Sequence, residues 1–343
     1  MNFAKWISFS LVVIFLYILW QIRQLLLLLL TAVVFALSLN IAVQQLRKFG
    51  IKRGYATLIS LLALFAILAI FLIVVVPSLS TQFEQLATLV PQGINKLIIE
   101  LNKIKDKLSP ELSNSLPNLE QLLPQLQPII NELLSRGVSF LSGFLGGLLS
   151  CLLLLALTIM ILIDPLAYRN GFIRLFPCFY RQRIEQILFL CEQHLQEWLI
   201  DTFIRIFSVI ILVAFSLFFL GIPLVAAQAF LTGLLAFIPY IGAVISIISP
   251  LAIAFLNAPW KVWLIIILYI IIYQVVENII IPKFRNQRIF LAPFNVMIGE
   301  IFFTSFLGFL GLFLATPLTI ISEVLIKEIL IKDILDQWEN SES

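Results

Sequence analysis

Three polar side chains share one face of a hydrophobic stretch: Gln274, Glu277 and Asn278, in Gln-Val-Val-Glu-Asn-Ile-Ile-Ile-Pro at 274–282. On a helix, positions three and four apart are neighbours, so an acid flanked by two amides forms a single polar stripe. The run that carries it begins at Val262 and is otherwise apolar. A carboxylate in hydrocarbon costs on the order of 3 kcal/mol on insertion scales, so the group must face protein, a partner or water. Such an acid can hold a proton or a cation. The amides can hydrogen-bond it in either state, since they both donate and accept. The competing reading is a hydrogen bond or subunit pair that only holds a helix bundle together. Ionisable groups inside membranes are functional as a rule, which favours the first reading. Glu300, in a later apolar segment, is a second such acid, and for it a place near the membrane interface competes evenly.

Membrane helices are the elements that must position these residues. The chain has 343 residues, of which 61% are hydrophobic and 12% charged, and its mean hydropathy is +1.08. A soluble protein of this size could not hide so much apolar surface. The expected fold class is therefore all-α and polytopic, with the lipid bilayer as the first partner. A net charge of +3 gives no sign of a nucleic-acid partner. Cys151, Cys178 and Cys191 lack metal-ligand spacing and read as free thiols. A single histidine, His194, excludes a His-based catalytic pair or a His-rich metal site within one chain. No Gly-x-x-x-x-Gly-Lys-Ser/Thr loop occurs, so nucleotide hydrolysis by that route is excluded. No cofactor, metal or catalytic residue is expected, and the chain does not read as an enzyme.

Charge placement orders the segments. Residues 1–77 read as three spans, at 6–22, 25–43 and 55–77, the first an uncleaved span after Lys5. Arg47, Lys48, Lys52 and Arg53 place the loop between the second and third in the cytoplasm. Residues 78–137 mix charges of both signs with prolines. Ile94, Leu97, Ile98, Leu101, Ile104 and Leu108 there make a helical stripe, and the region reads as extracytoplasmic and amphipathic. Residues 138–204 read as a fourth span and a cytoplasmic amphipathic helix. Gly143 and Gly147 in the span admit close helix approach, and Asp164-Pro165 ends it. Ile184, Ile187, Leu188, Cys191, Leu195, Trp198 and Leu199 form the apolar face of the amphipathic helix.

Residues 205–326 form the core of the expected transport machinery, and 327–343 a cytoplasmic tail. Two apolar segments in this core, 224–256 and 289–326, far exceed the roughly 20 residues of a span. The first is broken at Phe-Ile-Pro-Tyr-Ile-Gly (237–242), the second by Gly308, Gly311 and Pro317. Long interrupted segments flanking a polar-striped helix suit a transporter built from broken helices. If both are hairpins, Lys283, Arg285 and Arg288 fall in the cytoplasm, as the positive-inside rule prefers. Tilted full spans are the alternative.

Four stretches, in order and spacing, resemble the autoinducer-2 exporter family of bacterial membrane permeases: 237–242, 274–283, Leu-Ala-Pro at 291–293, and Gly-Phe-Leu-Gly-Leu-Phe-Leu-Ala-Thr-Pro-Leu at 308–318. The pattern departs at Phe237, where that family usually has Asn, and at Ala243, where it has Pro. The resemblance implies about eight membrane segments, a pentameric homo-oligomer, and export or exchange of a small solute, with some members linked to autoinducer-2 and others to sodium/proton antiport.

The expectation is a secondary transporter in the inner (plasma) membrane, with both termini cytoplasmic. Glu277, Gln274, Asn278, Pro239, Tyr240, Gly242 and Glu300 are the expected substrate or ion site, with Tyr240 and the freed backbone lining the same cavity as Glu277. Gly308, Gly311 and Pro317 are the expected hinge or packing positions. A sodium/proton antiporter and a non-transporting oligomeric scaffold are the alternatives.

Overall fold

Backbone in hydrocarbon must satisfy its own hydrogen bonds, which long apolar runs without breakers do as helices. The computed structural model of the chain describes residues 20–70, 76–105, 148–284 and 293–336, with positions 14, 17, 18 and 73, and among these every regular element is helical. In chain order the helices are α1 (Arg23–Lys48), α2 (Arg53–Ile70), α3 (Val76–Lys105), α4 (Leu148–Ile163), α5 (Pro165–Arg174), α6 (Arg181–Phe219), α7 (Val225–Leu235), α8 (Ile241–Ser246), α9 (Ile248–Asn257), α10 (Lys261–Phe284), α11 (Pro293–Leu325) and the π-helical α12 (Ile326–Leu335). The architecture is an all-α, polytopic membrane fold. Among the described residues, α1, the helical stretch Cys178–Phe219 and α10 are long and apolar enough to cross a membrane, and α4 with α5 forms a pair bent by 88°. Residues 6–13, all of 106–147 with the glycine pair at 143 and 147, and 285–292 with Arg285 and Arg288 lie outside the described residues.

The chain forms two compact units: Met1–Ala63, Leu149–Leu199 and Ile289–Ser343 in one, Leu64–Leu148 and Ile200–Arg288 in the other. In the first, Val43 of α1, Ala56 of α2 and Leu162 of α4 form a small buried cluster. Asp164 then ends α4 and caps α5, accepting from the Ala167 amide at 3.1 Å, with Pro165 at the first helical position. The apolar face of the amphipathic stretch is buried as its spacing predicts: Ile184, Ile187 and Cys191 pack with Val324.

α6 differs from the sequence reading, which separates an amphipathic helix ending at 204 from a span beginning at 206. Its 39 residues run without interruption, because no proline or glycine occurs between 181 and 219 to stop them. At 1.5 Å per residue it is roughly 58 Å long, about twice the hydrocarbon thickness. Only the apolar C-terminal half needs lipid.

In the second unit, α3 lies along the α7–α9 segment. Leu79, Phe83, Leu86, Val90 and Ile94 recur at helical spacing and are buried. At one end the Gln82 side chain accepts the Ala227 amide at 3.2 Å near the start of α7. At the other, Lys96 donates to the Leu256 carbonyl at 3.2 Å near the end of α9. Both bonds satisfy groups that helix termini leave orphaned. Gly93 lets α3 reach the α9 backbone, since a Cβ there would overlap Ala252.

Both overlong segments are interrupted. In the first, a Cβ on Gly242 would strike the Leu235 carbonyl, so residues that a straight helix would hold about 10 Å apart are in contact. In the second, α11 breaks at Gly308, with φ 67° and ψ −148°. Past it, Gly311 abuts the Phe303 carbonyl and Gly299 abuts the Thr319 side chain. A straight helix would separate Gly299 and Thr319 by roughly 30 Å. The close pairs bracket Gly308, which defines a helical hairpin.

Candidate functional site

Glu277 sits where α10 changes winding. Residues Val276–Ile280 form one π-helical turn inside an otherwise α-helical span. Single π turns are rare and concentrate at functional sites. The acid is not the lone group the sequence suggests. Arg205 of α6 holds it, its Nε donating to Oε1 at 2.6 Å and its second nitrogen to Oε2 at 3.4 Å. The amides behave differently from expectation as well. Asn278 donates to Gln274 Oε1 at 2.5 Å, so the two satisfy each other across one helical turn. Arginine is always charged, and its fork fits a carboxylate at two points. Arg205 is 13% exposed and Glu277 45%. The cation is thus anchored in protein while the acid faces outward from it.

Sequence reasoning missed Arg205. It falls at the junction of the amphipathic and apolar halves of α6, where a cation reads as an ordinary helix-end charge. The available signal was the unbroken helix itself, which makes position 205 part of a continuous span.

The Pro239–Gly242 break is strained at Tyr240. This residue has φ 58° and ψ −58°, and the Ile241 amide bonds the Pro239 carbonyl at 2.6 Å. That is a γ-turn with positive φ, a conformation that is rare for a non-glycine side chain. Such strain costs of order 1–3 kcal/mol and gathers at ligand sites and switches. Tyr240 is half exposed, while Gly242 is buried. Tyr273, one turn before Glu277, is within electrostatic reach of Arg205 and Glu277 and stands beside Ser246 of α8. A polar thread continues inward: Tyr269 and Thr232 share a hydrogen bond of 3.0 Å, and Thr232 donates to the Gln228 carbonyl. Gln228 and Thr232 have no exposed surface. A cavity of about 400 Å³ also lies between α6 and α10, but it is walled by Leu212, Leu220, Ile271, Ile272 and Val275, with Ser216 its polar member. That lining suits hydrocarbon, not a polar solute.

Glu300 belongs to the first unit and is 1% exposed. It sits on the first arm of the α11 hairpin, next to the Gly299–Thr319 contact. Gly308 supplies the break, Gly311 the close approach beyond it, and Pro317 lies inside the second arm.

One further cluster was not read from the sequence. Arg183 of α6 grips α12, donating to Asp333 at 3.1 Å and to Glu328 at 2.9 Å. Tyr180 donates to Asp333 at 2.7 Å. The Arg183 hydrogen bond chiefly holds the Asp333 carboxyl below the usual carboxylate range, and the Lys332 hydrogen bond chiefly does the same for Glu328.

Interrupted membrane helices are elements from which transporter cores are commonly built. The family model for AI-2E family transporters matches residues 9–331. The chain belongs to the AI-2E transporter family. Among curated proteins, a 104-residue stretch is 35% identical to "AI-2 transport protein TqsA" of Escherichia coli, covering 29% of this chain and 30% of that protein. A 115-residue stretch is 27% identical to "Putative transport protein YhhT" of Escherichia coli, covering 33% of each chain. The matched stretches thus span about a third of each curated relative. Membership places the chain's apolar helices in a bilayer.

Proposed function

We propose that the chain is a secondary transporter that moves a small polar solute of the autoinducer-2 kind out across the inner membrane as a homo-oligomer. The observation that carries this reading is the Arg205–Glu277 pair at the π turn of α10. A charged pair in a span has no simple structural economy, since well-packed apolar residues serve stability as well or better. A transport site has a use for it, because a polar solute with hydroxyl groups can exchange hydrogen bonds with both members. The strained γ-turn at Tyr240 supplies the 224–256 side of the same site, and the half-buried Tyr273 of α10 lines it beside Glu277. The relative named for AI-2 transport supports the solute class.

The orientation proposed follows from lysine and arginine placement. The hairpin 224–256 returns to the outer side and α10 runs inward to Lys283, leaving both termini in the cytoplasm. The test is efflux from proteoliposomes loaded with labelled autoinducer-2, with and without an imposed proton or sodium gradient. Export above protein-free liposomes supports the reading. Gradient-driven proton–sodium exchange without solute flux would make the protein an antiporter, and no flux of either kind would leave a scaffold.

A further inference from the structure

Glu300 presents a problem that the Arg205–Glu277 site does not solve. Its side chain is 1% exposed, and among the described residues neither carboxylate oxygen has a hydrogen-bond partner. One turn further on the same helix face, the Thr304 hydroxyl is also buried without a partner. Three oxygens thus stand unsatisfied within one turn of the first arm of α11. Native structures rarely leave even one such group without a reason, an unseen ion among them. A bare carboxylate there would be an uncompensated charge in an apolar surrounding, and in practice such a group neutralises.

Among the described residues no countercharge bonds the acid. The second arm of α11 carries one titratable group, Glu323, paired with Lys327 at 2.5 Å. On α1 the charged groups are Arg23, Arg47 and Lys48, at its two ends. α6, where it meets the far end of the second arm, brings His194 and Glu197 near Glu323. Among the described residues none of these groups hydrogen-bonds either oxygen of Glu300. A metal ion would want a larger set of oxygen ligands than one carboxylate and one hydroxyl. A proton needs only one oxygen, and a protonated carboxyl gains a donor that the Thr304 hydroxyl can accept.

We propose that Glu300 is a proton-binding site carried within the α11 hairpin, occupied while the two arms are closed. The hairpin has the means to expose it. Gly308 holds the break at φ 67°, and the arms meet at Gly299 and Thr319, beside the acid. If the arms part there and admit water, the carboxyl loses its proton to that water and becomes carboxylate; closure requires that a proton return. The hairpin then couples its own closure to one proton. The proton site stands without the transporter reading, which supplies only its use.

The test is reaction of the intact purified protein in lipid nanodiscs with dicyclohexylcarbodiimide, which modifies protonated carboxyls in apolar surroundings, followed by peptide mass spectrometry. The expected result is an adduct at Glu300 at neutral pH that diminishes as pH rises and is unaffected by sodium. It should vanish in Glu300→Gln, with that variant eluting and melting as wild type does. Thr304→Val, which keeps the shape, should shift the pH at which labelling is half complete. Absence of a Glu300 adduct at every pH, in a sample where other carboxyls react, would overturn the proposal. Sodium protection would replace it with a cation site. Labelling in a protein that shows no flux would sink the transporter reading and leave the proton site intact.

Discussion

Arg205 fixes where the Glu277 carboxylate stands, and this contact is where the residue scale is most informative. A lysine there would keep the charge but lose the two-point fork. Arg205→Lys should insert normally and lower initial efflux by about tenfold, a cost of roughly 1.4 kcal/mol, and Arg205→Met should lower it further. Rates from proteoliposomes at matched protein content check both, and undiminished rates would show that the pair is only structural. Glu277 stood out in the sequence because an acid in an apolar run is costly unless protein, a partner or water meets it. Its partner was not, because pairing across 72 positions depends on how α6 and α10 pack. The same holds for Gln274 and Asn278. Their spacing put them on one face with the acid, but only rotamers decide that they bond each other instead.

At the scale of elements, glycines mark where helices close on one another. Gly93 and Gly242 each abut backbone that a methyl group would strike, while Gly171 faces open space. Overpacking typically costs 1–3 kcal/mol. Gly93→Ala and Gly242→Ala should each lower the melting temperature in detergent by several degrees, and Gly171→Ala should leave it within error. The interruptions at 237–242 and at Gly308 were legible as breakers in overlong segments. The contacts around them were not, because Gly299–Thr319 and Gly311–Phe303 exist only once the chain has turned. The grip of Arg183 on α12 carries a pH prediction. Carboxyls held low stabilise the folded state above their ordinary values, near 4, and that stabilisation is lost as pH falls through the lowered folded values. A nitroxide at Ile334, an exposed position of α12, should therefore be immobile at pH 7 and gain mobility below about pH 4. In Arg183→Met it should be mobile at both.

For the whole molecule, hydropathy and charge made the class and the order of segments legible, since a chain this apolar has one environment open to it. The unbroken length of α6 was not read, because a change from amphipathic to apolar looks like a boundary even where nothing stops the helix. Orientation is checked by side-specific labelling: a cysteine at Asn257 should react from outside and one at Phe284 from inside. We propose that the Arg205–Glu277 pair carries transport. Its most direct test is solute efflux from proteoliposomes across pH for wild type, Glu277→Gln, and the exchanged pair Arg205→Glu with Glu277→Arg. Glu277→Gln should insert and assemble but lose pH-dependent flux, and the exchange should recover part of it over the single charge reversals. Equal flux and an equal pH profile in wild type and Glu277→Gln would contradict it.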